Sequence, residues 1–366
     1  MGGTIKKKKM RKLILFLTGI PGRRWAALAM SLLALVLVYI GVWIFTATQT
    51  VKAAERWVSD RRAEGYAIRY EGLRATGFPL WIRIDLADPA FAAPNSPSPW
   101  GWEADSLVIT ARPWRPGRVR LHTSGAQMIS YQAGDQRLTF NGHVSDATAD
   151  LTFQGGDAER LAVTVIDLDL AAQQGAGGKI SVANAHGILR RLASAGPRAT
   201  TMALDVKSSR VEFPSSLTSP LGNRMEDLRL VARLQGDLPR GAGVPLFEAL
   251  EIWRDGGGTI EIDQVALSYG PLVLNGDGTL ALDGELQPIG AFTARVQGFF
   301  ESIDAFSGAG MIGAGQAVSA KLLLGVFAQR PKNGGPATLN LAVTVQQRAL
   351  YAGPVKLLRL PPVRWR

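Results

Sequence analysis

The feature that most constrains this chain is an uncharged apolar stretch, WAALAMSLLALVLVYIGVWIF, which runs for 21 residues from Trp25 to Phe45. As an α-helix rising about 1.5 Å per residue, it is long enough to cross a hydrocarbon core of about 30 Å. Trp25 lies at one end and Trp43 near the other, where interfacial aromatic side chains are expected. The sequence therefore predicts a transmembrane helix over residues 25–45.

The charges that flank this stretch predict its orientation. Eight basic residues precede it, and a single lysine, Lys52, lies in the ten residues after it. The eight are Lys6, Lys7, Lys8, Lys9, Arg11, Lys12, Arg23 and Arg24. The positive-inside rule therefore predicts a basic cytoplasmic segment over residues 1–24, one crossing of a bacterial inner membrane and a periplasmic main body. A cleaved signal peptide is the alternative, because the small residues of TATQTVKAA leave cleavage open.

Most of the net charge of +11 comes from the N-terminal segment. Nine of the 41 Lys and Arg and none of the 30 Asp and Glu precede Glu55, which leaves 32 basic and 30 acidic residues in the rest of the chain. Because the basic run lies beside a predicted spanning helix, we interpret it as a segment that sets the membrane topology and contacts lipid headgroups, and not as a nucleic-acid-binding segment. No cysteine occurs, which excludes thiol nucleophiles, disulfides and cysteine-ligated metals.

The residues after the membrane stretch predict first a helix and then a sheet. Apolar residues at helical spacing predict a short amphipathic helix from about Ala47 to Ala63, ended by Gly65, within a linker over residues 46–65. From there to residue 366 every second residue tends to be apolar, as in PLWIRIDLADP, where the even-numbered residues Leu80 to Leu86 are aliphatic. The same alternation returns over residues 161–165, 202–206, 228–234 and 339–345.

One-sided alternation is typical of antiparallel sheets, since strands covered on both faces are continuously apolar. The alternation slips at Val165–Ile166 and at Ser208–Ser209, which predicts bulges and a curved sheet. Three short helices are expected, in VPLFEALEIWRDGGG, FFESIDAFSG and AVSAKLLLGVFAQ. The predicted fold is mainly β, with a transmembrane helix followed by a large curved antiparallel sheet of a dozen or more strands.

Two glycine-rich stretches could be mistaken for binding sites. LVLNGDGTLALDGELQP, from Leu272 to Pro288, is predicted to be a hairpin whose five-residue turn is NGDGT, because a calcium loop needs more acids and a final glutamate. GAGMIGAG, from Gly308 to Gly315, contains G-x-G-x-x-G but follows a predicted helix instead of a strand. It is therefore interpreted as a glycine connection.

The chain offers few residues for catalysis. Its three histidines, His122, His143 and His186, lack metal-ligand spacing, and no serine lies in G-x-S-x-G. The carboxylate pairs Asp167 with Asp169 and Glu261 with Asp263 lie two apart on predicted strands, on the polar face. We expect no catalytic, cofactor-binding or metal-binding residues, and a protein that is not an enzyme.

Two blocks resemble a known family. GFPLWIRIDLADP (Gly77 to Pro89) and the block from Gly257 to Phe299 resemble the proteobacterial family known only as domain of unknown function 2125, which is membrane-anchored and periplasmic. DGTLALDGELQPIGAF is similar, more weakly, to strands of AsmA-like envelope proteins, a group linked to outer-membrane lipid homeostasis and transport. Neither resemblance implies a catalytic residue.

The number of alternating strands suggests a function. Their apolar side exceeds what three short helices can cover, so the sheet either closes on itself or keeps an apolar groove. We predict a non-enzymatic envelope protein that binds or shuttles lipid or acyl chains. The predicted groove-lining residues are Leu80, Ile82, Ile84, Leu86, Leu228, Leu230, Leu272, Leu274, Leu280 and Leu282. The alternatives are a scaffold that docks other envelope proteins and an envelope hydrolase that acts through carboxylates.

Overall fold

The computed structural model describes residues 22–365 except for 97, 134–135, 174–177, 194–195, 197–198, 215–218, 240–243, 330–334 and 354. One long helix leads into a sheet of 17 strands, and three short helices are inserted between strands. This architecture confirms the mainly β fold with an apolar N-terminal helix. The basic run predicted to be cytoplasmic lies, up to residue 21, outside the described residues.

The N-terminal helix, α1, runs without interruption from Gly22 to Ala63. Its apolar part has a mean hydropathy of 2.5 and contains no buried residue, so the helix is long and apolar enough to cross a membrane. A single-pass anchor and a signal sequence both have these properties. The helix predicted over residues 47–63 is present and ends at Ala63, but it continues the apolar helix without a break, because the residues between Thr46 and Ala63 include no glycine or proline that would end it.

The strands form one antiparallel sheet in which nearly every strand pairs with the next one in sequence. Their bounds are β1 Ala67–Glu71, β2 Ala75–Thr76, β3 Ile82–Ala93, β4 Trp100–Ala104, β5 Ser106–Arg112, β6 Arg115–Ala133, β7 Gln136–Gln154, β8 Asp157–Ala172, β9 Lys179–Arg191, β10 Thr200–Glu212, β11 Arg224–Gln235, β12 Thr259–Tyr269, β13 Leu272–Leu282, β14 Pro288–Gln297, β15 Thr338–Gln346, β16 Ala349–Ala352 and β17 Val355–Arg359. β4 and β5 follow one another along β6, separated by Asp105. β1 and β2 likewise follow one another along β3.

Three short helices interrupt the sequence of strands, as predicted. They are α2, Leu246–Asp255, between β11 and β12, and then α3, Phe299–Gly308, and α4, Ala314–Phe327, between β14 and β15. The glycine stretch GAGMIGAG therefore joins two helices, and no strand precedes it. This placement confirms the interpretation of a connection instead of a dinucleotide loop, which needs a strand before it.

The strand register places successive residues of twelve strands alternately on the two opposite faces of the sheet. Residues directly opposite each other in antiparallel strands share a face, and one transverse row of such residues is apolar throughout. It consists of Ile84, Ile109, Leu121, Ala149, Val163, Gly187, Val206, Leu230, Val265, Gly276, Ala294 and Leu341. The next row, on the opposite face, is mostly polar and runs from Asp85 through His122, Thr164 and Lys207 to Asn340.

A line of left-handed residues crosses the sheet from β3 to β10 and divides these strands into two halves. Asp88, Gly125, Asp167 and Arg210 have φ values of 46°, 91°, 46° and 48°. The amide of Asp88 donates to the carbonyl of Asp105, whose own amide donates to the carbonyl of Ala126, so the line continues between the strands. We call this line the crease, and the half of each strand on the Trp81 side is the near half.

The predicted bulges coincide with this crease but differ in kind. Asp167 and Arg210 follow directly after the two slips in the apolar alternation, yet the register between β8, β9 and β10 is the same on both sides of them. β8, β9 and β10 bend at the same level across the sheet, so the pairing of each strand with its neighbour is unchanged. β8, β9 and β10 therefore kink together without a change of register, whereas the register between β6 and β7 shifts by one residue at Gly125.

The NGDGT hairpin was predicted wrongly. β13 runs straight through these residues, and it pairs with β12 on one side and β14 on the other. The glycines occupy positions of the apolar face, where a Cβ on Gly276 would lie 2.5 Å from the carbonyl oxygen of Thr293. A Cβ on Gly278 would lie 2.5 Å from the ring of Phe292. Glycine is therefore required by close packing within a strand, and the reversal follows only after Leu282.

Candidate functional site

The ten residues predicted to line a groove have different environments. Leu80 was placed wrongly, because it precedes β3 in a turn and is 56% exposed. The other nine lie in strands on the apolar face. Ile82, Ile84 and Leu86 are buried at one side of the sheet. Leu228, Leu230, Leu272, Leu274 and Leu280 are half-buried, and Leu282 is buried.

Helices cover the apolar face in two places. α3 and α4 pack over the parts of β13 to β15 that lie away from α2, where Leu339 is fully buried and Leu272 and Leu274 contact the same cluster. α2 packs over the near end of β11 to β13, where its Trp253 contacts Leu282 and Leu286. The indole nitrogen of Trp253 donates a 2.8 Å hydrogen bond to the carbonyl oxygen of Gln235, so the polar atom of this buried ring is satisfied.

Between the buried residues of β3 and the strands that these helices cover, the apolar face is only half-buried. Along the transverse apolar row, Ile84 at one side is 1% exposed and Ala294 at the other is 8% exposed, whereas Val163 in the middle is 36% exposed. We call this middle region the open apolar face. It consists of the near-half residues Leu121, Leu151, Leu161, Val163, Leu189, Leu204, Val206 and Leu230, none of which is buried. At about 4.8 Å per strand, it is about 24 Å wide from β6 to β11.

The opposite face carries paired charges. Arg120 forms two hydrogen bonds to Asp150 on the neighbouring strand, of 2.6 and 3.1 Å, and Arg233 is paired in the same way with Asp263. In each pair the hydrogen bond to the carboxylate is the main cause that raises the pKa of the guanidinium. These exposed pairs contribute little to stability, typically about 0–1 kcal/mol each.

The residues considered for catalysis are spread over this polar face, although His143 lies directly opposite Asp169 on the neighbouring strand. His122 lies 2.9 Å from Asp146, and His186 lies 2.9 Å from the hydroxyl of Thr164. Asp169 pairs with Lys179 at 2.7 Å, and Glu261 accepts a hydrogen bond from Thr279. In the part of the chain that the structure describes, no three His, Asp or Glu side chains are placed to hold a metal ion.

Sequence reasoning missed an arginine-rich cleft at the near end of the sheet. The cleft has a volume of about 930 Å³ and is lined by the near ends of β3, β5, β6, β7, β8 and β9. Its arginines are Arg83, Arg112, Arg115, Arg118, Arg120, Arg160, Arg190 and Arg191. These arginines are scattered over more than 100 residues of sequence, so only the strand register brings them together.

The cleft begins at the turn between β2 and β3, and this turn contacts α1. The Trp43 indole nitrogen donates a 3.0 Å hydrogen bond to the carbonyl oxygen of Trp81, and the Trp43 ring packs edge-on against Phe78 with centroids 5.5 Å apart. The hydroxyl of Tyr39 donates to the carbonyl oxygen of Pro79. Tyr39 and Trp43 belong to the apolar stretch, so the turn contacts the C-terminal part of that stretch.

Comparison with known proteins supports the family resemblance. Residues 43–361 match the model of a family described as an uncharacterized protein conserved in bacteria, DUF2125. No curated protein and no solved structure matches the chain. The similarity to AsmA-like envelope proteins therefore stays a prediction. Because the match covers most of the chain, including nearly all of the sheet, this protein belongs to the DUF2125 family.

Proposed function

We propose that this protein is a non-enzymatic, membrane-anchored lipid-binding protein of the bacterial envelope, with α1 as an uncleaved single-pass anchor and the sheet in the periplasm. The ligand is a lipid whose acyl chains lie on the open apolar face. The observation that carries the proposal is the transverse apolar row, which is buried at both sides of the sheet and exposed at Val163 in the middle.

The size and composition of the open apolar face favour a lipid. Its eight residues are aliphatic and lie on six consecutive strands in register, so they form one continuous surface. Monomeric soluble proteins rarely expose contiguous apolar surfaces larger than a few hundred Å², and larger ones usually mark ligand or partner sites. The absence of polar side chains among the eight favours acyl chains over ligands that need hydrogen bonds.

The contact between α1 and the sheet supports the anchor. A signal sequence that is removed has no need of specific contacts with the mature domain. Here the apolar stretch donates hydrogen bonds from Tyr39 and Trp43 to the turn at Pro79 and Trp81. The same contact holds the near end of the sheet, and with it the open apolar face, close to the membrane from which a lipid would come.

Mass spectrometry of lipid that co-purifies with the full chain tests this proposal. Leu230→Arg places a charge on the open apolar face, and the matched control Val231→Arg places it one residue away on the opposite face. We expect the wild type and Val231→Arg to retain lipid through extensive detergent washing, and Leu230→Arg to lose most of it. Lipids around α1 are common to all three proteins. Equal retention by the three would contradict the proposal.

A scaffold role is the second candidate, and one feature of α4 favours it. While Ala317, Ala320 and Leu324 of this helix are buried, Val318, Leu322 and Val326 are 60, 70 and 80% exposed and form a second apolar stripe on its outer side. Crosslinking in intact cells should then recover one defined protein partner from the wild type and lose it in Leu322→Asp. Recovery of no defined partner would count against this role.

A further inference from the structure

We propose that the arginine-rich cleft beside the turn of residues 77–81 binds the phosphate groups of anionic phospholipids in the membrane that α1 crosses. This inference rests on the anchoring part of the proposed function and is independent of acyl-chain binding. The cleft arginines lie mainly on the polar face of the sheet, whereas the open apolar face is on the other side and shares Leu151 with the lining of the cleft. The lipids in question are therefore those of the surrounding membrane surface.

The charge of the cleft is strongly positive. Its lining has eight arginines and two acids, Asp150 and Glu159, a formal charge of +6. Asp85 and Asp157 at its rim pair with Arg83 at 2.8 Å and with Arg191 at 3.3 Å, and a formal charge of +4 remains when they are included. Because the chain after Ala54 is close to neutral, this excess is local. A positive cleft of this kind attracts anions.

Five of the eight guanidinium groups are free to bind a ligand. Among the described residues, no carboxylate lies within 4.0 Å of any of them, whereas Arg120 and most other arginines of the polar face are paired. The five are Arg112, Arg115, Arg118, Arg160 and Arg190. The planar guanidinium presents a fork of donors that matches phosphate oxygens in bidentate geometry.

The strand register places like charges together, at a cost that a bound anion would offset. Arg160 on β8 lies directly opposite Arg190 on β9. Arg118 lies in the same transverse row, because it is opposite Thr152 and Thr152 is opposite Arg160. Like charges directly opposite each other destabilise a sheet. A phosphate bridging these arginines removes the repulsion.

A short series of contacts connects the cleft to the membrane. Trp81, whose carbonyl accepts the hydrogen bond from Trp43, has the guanidinium carbon of Arg112 4.8 Å from its ring centroid. Arg112 also lies 6.0 Å from the ring of Trp114, which is 51% exposed. Phe78 of the same turn is 52% exposed. Exposed tryptophan and phenylalanine side chains at the end of an apolar helix are typical of the headgroup level of a bilayer, which places the cleft arginines next to phosphates.

Lipid binding by the full chain in neutral detergent, measured by native mass spectrometry, tests the proposal. The variant Arg118→Gln/Arg160→Gln/Arg190→Gln removes three free charges from the cleft. The control Arg229→Gln/Arg233→Gln/Arg295→Gln removes three charges elsewhere on the polar face. Each basic residue near an anionic surface contributes about fivefold, so we expect phosphatidylglycerol to bind the cleft variant on the order of 100-fold more weakly than the wild type.

Further readouts make the outcome decisive. The control variant should bind phosphatidylglycerol as the wild type does, and phosphatidylcholine should bind all three proteins equally weakly. Circular dichroism checks folding, and if the triple variant does not fold, each single substitution should weaken phosphatidylglycerol binding about fivefold.

Undiminished binding of phosphatidylglycerol by the cleft variant would overturn the inference. Displacement by equimolar inorganic phosphate, or tighter binding of a DNA oligonucleotide than of phosphatidylglycerol, would overturn it as well. The lipid retained on the open apolar face should be the same in the cleft variant, so failure of one proposal is distinguishable from failure of the other.

Discussion

The indole nitrogen of Trp43 donates a hydrogen bond to the carbonyl oxygen of Trp81 across 3.0 Å and so joins the apolar helix to the first long strand of the sheet. The two residues are 38 positions apart in sequence. Together with the packing of Trp43 on Phe78, this contact fixes the near end of the sheet relative to the C-terminal end of the apolar stretch. Both proposed lipid contacts depend on that placement.

Trp43→Phe should weaken this junction without unfolding the sheet. The substitution keeps an aromatic ring against Phe78 but removes the hydrogen bond, which is worth about 0.5–1.5 kcal/mol. We expect faster proteolysis in the turn of residues 77–81 and a slightly lower Tm of the full chain in mild detergent. Val42→Ala, at a position that is half exposed one residue away, is the control and should change neither. Unchanged proteolysis in Trp43→Phe would mean that the junction is not formed.

Two leucines of α4 should differ sharply in their contribution to stability. Leu324 is 5% exposed within the cluster that covers β13 to β15, whereas Leu322 is 70% exposed. Leu324→Ala leaves a cavity and should lower the free energy of unfolding by about 2–5 kcal/mol. Leu322→Ala should change it by at most about 0.5 kcal/mol. Chemical denaturation of the two variants gives the comparison, and similar losses would show that α4 does not pack in this orientation.

Gly278 should not tolerate a side chain. An added Cβ would lie 2.4 Å from the carbonyl oxygen of Ala291 and 2.5 Å from the ring of Phe292, so the two strands would have to separate. We expect Gly278→Ala to lower the free energy of unfolding by about 1–3 kcal/mol. Gly284→Ala is the control, because nothing lies within 4 Å of its added Cβ.

The crease can be tested at Asp167, which is exposed and has a φ of 46°. Glycine adopts this left-handed conformation without strain, and valine does not. Asp167→Gly should therefore be about as stable as the wild type, and Asp167→Val should lose about 1–2 kcal/mol. Thermal unfolding in mild detergent measures the difference. If valine is tolerated as well as glycine, the strand does not kink at this residue.

Much of the fold could be predicted because it depends on local period. Alternation of apolar residues identified the strands and their common face, so nine of the ten candidate lining residues lie on that face. Leu80 fits the same alternation but precedes the strand, since the turn of residues 77–81 is held by α1. Contacts of this kind, between residues far apart in the sequence, cannot be predicted from a local sequence pattern.

The other errors have related causes. In NGDGT the polar and small residues typical of a turn also alternate between two faces of a strand, and only the packing of Phe292 decides between the two. The arginine-rich cleft required the register of six strands, which the sequence does not specify. Whether the apolar face was open depended on where α2, α3 and α4 pack, and their lengths alone did not predict it.

Site-specific photocrosslinking in the native membrane tests the central claim most directly. A benzophenone amino acid replaces either Val206, on the open apolar face, or Lys207, the next residue on the opposite face. We predict that irradiation attaches labelled acyl lipid to the full chain at position 206 and leaves position 207 unlabelled. Equal labelling at the two positions, or no labelling at position 206, would contradict the account.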